Sequence, residues 1–165
     1  MNPKRQSHEP GHRRKFLVIV DETPECDRAV YYAARRAART RGGLVLLGVL
    51  ELEDAHQQWL GVADLMRAEA TETTQRRLDD YVARARQVAG ITAETVIREG
   101  NRSAILPALI AEDRDIAILV LAAGIHRDGP GPLVSALGGA HSASFPIPIT
   151  IVPGALSDED LDALA

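Results

Sequence analysis

The feature that most constrains this chain is a series of short apolar segments spaced along it. Phe16–Val20, Leu44–Leu50 and Ile116–Leu121 are nearly uninterrupted, and Ile147–Val152 closes the series among prolines. Apolar runs of this length are typical of strands covered on both faces, which belong to parallel sheets. Thr92–Arg98 alternates more and predicts a strand nearer the sheet edge. Proline within and beside the last segment places that strand at the border of the sheet.

Segments with helical spacing separate these strands. The first helix is expected to begin at a Thr23 cap with Pro24 following and to reach about Arg41. Long and short helical segments at about 62–89 and 133–143 follow. The alternation predicts an open, doubly wound α/β fold with five mainly parallel strands and helices on both faces.

Two residues compete to cap the helix between the third and fourth strands. Asn101 and Ser103 both suit the position, and the helix is expected to end near Glu112. Pro107 favours Ser103, because the missing proline N–H then falls in the first turn, where no helical bond is lost.

The two ends of the chain carry opposite charge. Residues 1–14 are predicted to be a flexible basic segment, residues 15–153 the folded domain, and residues 154–165 an acidic tail. Either both ends are solvated tails, or they make a contact within or between chains.

Composition excludes several classes of function. The net charge of −4 gives no support for nucleic-acid binding. No apolar run is long enough for a membrane span, and the basic residues before the first strand lack the apolar stretch expected of a signal peptide. Cys26 is the single cysteine, so no internal disulfide forms, and a reduced cytoplasmic location is expected. The histidines show no short metal-ligand spacing, so no metal site is predicted.

Ligands of open α/β sheets bind beyond the carboxyl ends of the strands, where the strand order reverses. Asp21, Glu22 and Thr23 follow the first strand, and residues 122–135 follow the fourth. Asp21 is expected either to accept hydrogen bonds from a ribose, to hold a metal ion with Glu22, or simply to favour the N-terminus of the first helix. If the two strands are neighbours, both loops face one crevice, and the end of the second strand at Val49 borders it.

The loop after the fourth strand is rich in glycine and proline. Its glycines and the positive charge of Arg127 suit a phosphate. Pro130 and Pro132, however, have no N–H to donate, and Pro132 after Gly131 is typical of a helix start. A phosphate site and a plain tight turn both remain open.

Other motifs carry less. The P-loop, the G-x-S-x-G elbow and the receiver-domain lysine are missing, and G-x-G-x-x-G does not follow the first strand. Cys26 lies on the apolar stripe of the first helix, which favours a packed thiol over a reactive one. Trp59 is interpreted as a core or interface plug rather than an adenine stacker.

The pattern resembles the universal stress protein family over about residues 15–153. The resemblance is carried by the Phe16–Asp21 strand with Thr23-Pro24-Glu25, by Val45–Val49, by Arg98-Glu-Gly100, by Ile118–Leu121 and by Pro146–Val152. It implies a doubly wound sheet like that of the adenine nucleotide alpha hydrolases, a homodimer formed through the last strand, and ATP binding in many members. Asp21 then matches the acidic residue at the nucleotide, and Val49 the position beside adenine.

The family's nucleotide-binding members carry Gly-x2-Gly-x9-Gly-Ser/Thr after the fourth strand. A gapless alignment puts Ala122, Ile125, Ser135 and Ala136 at those places. Sliding the register aligns Gly129 and Gly139 but leaves His126 and Ala140 at the others. The glycine motif is therefore degenerate.

Two functions follow as hypotheses. The first is a stress-response or signalling protein that binds ATP, with Mg²⁺, or a related nucleotide. The second is a dimeric protein-interaction module without a ligand. No catalytic residue is predicted, and slow nucleotide hydrolysis is the most that an enzymatic role would involve. The candidate nucleotide-binding residues are Asp21, Glu22, Thr23, Val49, Ala122, Gly124, Arg127, Gly129, Gly131 and Ser135.

Overall fold

The five apolar segments form the five strands of one sheet in the computed structural model, which describes residues 2–52 and 60–165. The strands are β1 (Lys15–Val20), β2 (Gly43–Leu50), β3 (Glu94–Glu99), β4 (Ile116–Ala123) and β5 (Ile149–Pro153). They lie in the order β3-β2-β1-β4-β5, and every neighbouring pair is parallel. The predicted fold class is confirmed, and β3 and β5 are the two edges.

Helices cover both faces of this sheet. They are α1 (Cys26–Arg39), α2 (Leu60–Ala89), α3 (Arg102–Glu112), α4 (Pro132–Leu137) and α5 (Asp158–Leu164). The core on one face joins the sheet to α1, α2 and α5, and the core on the other joins it to α3 and α4. None of the helices in the described ranges is both long and apolar enough to cross a membrane.

The strands supply both cores by simple alternation. Phe16 and Val18 point into the α1–α2 core, whereas Leu17 and Ile19 point into the α3–α4 core. All four are buried, as the continuous apolar run predicted. Aromatic residues are scarce, and on the first face alanines of α1 are among the residues that fill the core. Their small side chains let that helix lie close to the sheet.

Glycine brings α2 close to the sheet as well. A Cβ atom on Gly48 in β2 would lie 2.4 Å from Cγ2 of Thr74 and 3.3 Å from Cδ1 of Leu78. Only glycine fits between the strand and this stretch of α2 without displacing it.

Two predicted caps are wrong. Thr23 does not cap α1: its hydroxyl donates to Asp21, the helix begins at Cys26, and Glu25 holds the N-cap position without a side-chain bond. Asn101 rather than Ser103 caps α3, since its side chain accepts from the Ser103 N–H at 2.8 Å. Pro107 consequently lies inside the helix.

The fourth helix is shorter than predicted, whereas its start is confirmed. Gly131 is the N-cap and Pro132 the first residue, but α4 ends at Leu137 instead of residue 143. Two glycines follow Leu137, and glycine loses the most backbone entropy in a helix. A 3₁₀ turn at Ser142–Ser144 covers part of the remainder. Trp59, for which a plug was predicted, lies outside the described residues.

The acidic segment 154–165 is not a solvated tail. Ser157 and Asp160 form a capping box that starts α5, and Leu161 is fully buried. Asp158 pairs with Arg28 at 2.5 Å, and Asp162 pairs with Arg35 at 2.7 Å. A contact within the chain is therefore present, but the acidic end meets α1 rather than the basic N-terminal segment.

The basic segment before β1 lies against the amino-terminal edge of the sheet. The Arg5 guanidinium donates to the backbone carbonyls of Ile110, Asp113 and Ile116 at 2.5, 3.3 and 3.2 Å. His12 Nδ1 lies 2.8 Å from Asp115 Oδ1. These contacts are at the opposite end of the strands from their carboxyl termini.

Candidate functional site

A cavity of 380 Å³ opens beyond the carboxyl ends of β1 and β4. From β1 the chain builds outward to β2 and β3, and it then crosses to β4 on the other side of β1. The strand order reverses between β1 and β4, which is where ligands of open α/β sheets bind. Strand residues Ile19, Val120 and Leu121 provide apolar wall.

Both predicted loops reach this cavity. Asp21, Glu22 and Thr23 line it from the β1 side, and Ala122 and Gly131 line it from the β4 side. The two loops therefore face one crevice.

The other predicted residues lie apart from the lining. Val49 packs against the α3–α4 core, and Ser135 lies in α4, where its N–H donates to the Gly131 carbonyl. Arg127 is exposed in the loop. Gly124 and Gly129 belong to the turn of that loop, and neither lines the cavity.

Asp21 is held by a local turn. Its Oδ1 atom accepts from the Thr23 N–H at 3.0 Å and from the Thr23 hydroxyl at 2.6 Å, as in an Asx turn. Within the described ranges its Oδ2 atom makes no hydrogen bond. The side chain is thus fixed at the mouth of the crevice with one oxygen left for a ligand.

Two N–H groups of the glycine-rich loop bond within the loop itself. Gly124 N–H donates to the Pro130 carbonyl at 3.0 Å, and Gly129 N–H donates to the His126 carbonyl at 3.2 Å. Gly129 and Gly131 have φ angles of 105° and 108°, which suit glycine alone. Of the two readings open from the sequence, the structure favours the tight turn.

Comparison with known proteins bears on this topology. The model of the Universal stress protein family matches residues 12–153. This chain belongs to the universal stress protein family. No curated protein sequence matches it.

Solved structures of the family share the fold at low sequence identity. The universal stress protein UspA from Lactobacillus plantarum is 18% identical with a TM-score of 0.72, over 84% of this chain and 97% of that one. A family member from Burkholderia pseudomallei is 20% identical with a TM-score of 0.64, over 84% and 95%. A universal stress protein in complex with cAMP is 16% identical with a TM-score of 0.57, over 84% and 96%.

Sequence reasoning missed two charged residues in the crevice of the present chain. Glu51 directly follows β2 and Arg102 opens α3, so both stand at the carboxyl edge. Arg102 Nε lies 3.6 Å from Glu51 Oε2. The backbone N–H of Arg102 also donates to Glu51 Oε1 at 3.3 Å. Extending the carboxyl-end rule past the end of β2 at Leu50 and to the segment after β3 would have found them.

The first turn of α1 supplies two further lining residues that were not predicted, Glu25 and Cys26. Cys26 is 4% exposed, and its Sγ donates to the Ile19 carbonyl at 3.7 Å. Burial raises the pKa of the Cys26 thiol to about 11. The prediction of a packed thiol is confirmed, because desolvation outweighs the stabilising effect of the helix start.

The charge of the crevice is uneven. Its lining carries the carboxylates of Asp21, Glu22, Glu25 and Glu51 and the guanidinium of Arg102. In the parts of the chain that the structure describes, no three metal-ligating side chains converge closely enough to hold an ion. The site is thus an apolar slot with an acidic rim.

Proposed function

We propose that this chain is a stress-response or signalling protein that binds a nucleotide by its nucleoside part in the crevice between β1 and β4. The observation that carries the proposal is the 380 Å³ cavity at the reversal of strand order, with Asp21 fixed at its mouth. Cavities of this size fall at the small end of those that hold organic ligands.

The chemistry of the crevice suits a nucleoside. Apolar strand and helix residues, including Val120 and Leu133, offer a surface to a base. The free oxygen of Asp21 is an acceptor for ribose hydroxyls, and a hydrogen bond to a carboxylate is stronger than one between neutral groups. The family member solved with cAMP shows that this fold accommodates such a ligand in that protein. ATP with Mg²⁺, which the family resemblance implies, is part of the proposal.

Thermal unfolding and calorimetry with adenine nucleosides and nucleotides test this proposal. A ligand that binds only the folded state raises the melting temperature. The substitution Asp21→Asn keeps an acceptor for the Thr23 turn and removes the charge, so it should weaken binding by about tenfold.

Asp128→Asn is the matched control, because Asp128 is exposed in the 124–131 loop and does not line the cavity. It should leave the affinity unchanged. An Asp21→Asn variant with wild-type affinity would remove Asp21 from the site, and the lack of any stabilisation at millimolar ligand would refute the proposal.

A second function is favoured by the edge strand β5, which we propose as the contact of a homodimer. The other edge, β3, carries Glu94, Arg98 and Glu99, and such charges discourage pairing between edges. β5 has no charged residue, and Ile151 is 39% exposed beside an apolar recess of 220 Å³.

Sedimentation at micromolar concentration tests this dimer. Ile151→Lys should convert a wild-type dimer into a monomer, because the new charge would be buried in the contact. Ile125→Lys is the control, since Ile125 is 73% exposed in a loop outside the strand. A wild-type monomer, or a dimer that survives Ile151→Lys, would remove β5 as the interface.

A further inference from the structure

We infer that the crevice selects its ligand by charge and takes an uncharged or singly charged nucleoside-type molecule in preference to a nucleoside triphosphate. This inference rests on the proposed nucleotide site and names the class of ligand it accepts. The cavity and its apolar walls define the site, and the charges around it define the selection.

The residues that line the crevice carry more negative than positive charge. Of its charged residues, four are acidic, namely Asp21, Glu22, Glu25 and Glu51, and Arg102 is the one base among the described lining residues. Arg102 already faces Glu51 at 3.6 Å. A ligand entering the crevice therefore meets an excess of negative charge. This charge repels each additional phosphate group that the ligand carries.

A phosphate group in the crevice would need hydrogen-bond donors, such as backbone N–H groups. Pro130 and Pro132 line the cavity and have no N–H group. The N–H groups of Gly124 and Gly129 donate to carbonyls of their own loop. Two lining residues near α4 thus have no backbone donor, and two N–H groups of the adjoining loop are already bonded rather than free to cradle an anion.

The groups that could balance the negative charge of a polyphosphate are a further basic side chain or a bound cation. Arg127 is exposed in the loop and is not part of the lining, so it does not offset the acidic rim in this arrangement. Among the described residues, no three metal-ligating side chains lie close enough together to form a cation site. A triphosphate would have to bring its own Mg²⁺ to reduce the repulsion.

Isothermal titration of the full chain with adenosine, AMP and ATP, at about 20 and 300 mM NaCl, tests the inference. Adenosine should bind at least about tenfold more tightly than ATP at low salt, with AMP between them. Salt screens repulsion between charges. The affinity for ATP should therefore rise with salt, whereas that for adenosine should stay constant. Mg²⁺ should strengthen ATP binding without affecting adenosine.

Charge variants sharpen the test. Glu22→Gln and Glu25→Gln should each raise the ratio of ATP to adenosine affinity, and Asp128→Asn should leave that ratio unchanged. Arg127→Ala should also leave it unchanged, and a fall would show that this guanidinium holds phosphate. ATP that binds more tightly than adenosine and weakens with salt would overturn the inference alone. If none of the three ligands binds, the proposed function itself fails.

Discussion

Cys26 shows how the surroundings of one residue decide its chemistry. It lies in the first turn of α1 and lines the crevice, two features that often accompany a reactive thiol. The thiol is nevertheless buried and shielded from water, and it donates to the Ile19 carbonyl. The pKa is raised rather than lowered, and burial likewise raises that of the neighbouring Tyr81 phenol.

Alkylation measures this effect. With the pKa of Cys26 at about 11, roughly one thiol in a thousand is ionised at pH 8. Iodoacetamide should therefore modify the native protein at least about a hundredfold more slowly than the urea-unfolded chain, as followed by mass spectrometry. Equal rates in the two states would contradict the buried thiol.

Gly48 provides a prediction about packing. Gly48→Ala places a Cβ atom 2.4 Å from Cγ2 of Thr74, so the Thr74 side chain or α2 itself must shift. Overpacking of this kind costs about 1–3 kcal/mol. Thr74→Ser removes the obstructing methyl group, so the double variant should be more stable than the sum of the single effects predicts. Urea unfolding of the three variants checks this, and strict additivity would contradict the contact.

At the scale of the element, α5 is a short helix that depends on its contacts with α1. Its seven residues are too few for a stable isolated helix. Leu161 is its fully buried side chain, and its acidic residues face arginines of α1. Ion pairs at the surface add little individually, so the buried leucine carries most of the docking energy.

Leu161→Ala should therefore release α5 and lower the free energy of unfolding by about 2 kcal/mol. Leu164→Ala is the matched control in the same helix, since Leu164 is 61% exposed, and it should change stability by less than about 0.5 kcal/mol. Limited proteolysis near residues 154–157 should accelerate for the first variant alone. Equal stabilities of the two variants would contradict docking through Leu161.

At the scale of the molecule, Asp27 joins three helices. It accepts hydrogen bonds from Arg28 of α1 and from Arg84 of α2, and both arginines also contact Asp158 of α5. Partial burial alone would raise the pKa of Asp27, but the bonds and charges of Arg84 and Arg28 outweigh it and lower the pKa. Asp162 has a lowered pKa as well, chiefly through the hydrogen bond from the Tyr31 hydroxyl.

These shifts fix the direction of the pH dependence. A carboxylate with a lowered pKa contributes its full stability above the ordinary aspartate value of about 3.9 and loses it as the pH falls through the folded value. Stability should thus be level from pH 7 to about 5 and fall below about 4. In urea unfolding, Asp27→Asn should be less stable at pH 7 and lose less on acidification. A variant that loses as much as wild type would remove Asp27 from the acid transition.

The sequence was sufficient for the architecture because apolar runs and turn residues act locally. The strands, the two edges and the start of α4 at Pro132 follow from such signals. The cap of α3 did not follow from such signals, because Asn101 and Ser103 lie two residues apart and both suit the position. The fold tolerates Pro107 inside the helix, although its missing N–H favoured a start at Ser103. α5 was missed because its acidic residues looked solvated, while their arginine partners lie far away in sequence. Half of the predicted site residues line the crevice. Arg102 was missed because the segment after β3 was not considered as part of the site.

The pairing of β1 with β4 also sets the order in which the molecule is completed. Phe16 pairs with Ile118, and the intervening chain of about one hundred residues makes this the strand pairing with the largest loop to close. β1, β2 and β3 are joined through successive crossovers that are shorter than this loop. The crevice exists only once the two halves of the sheet have met along β1 and β4. A chain in which β1 and β4 have not paired therefore lacks the ligand site, so ligand binding reports that this pairing has formed.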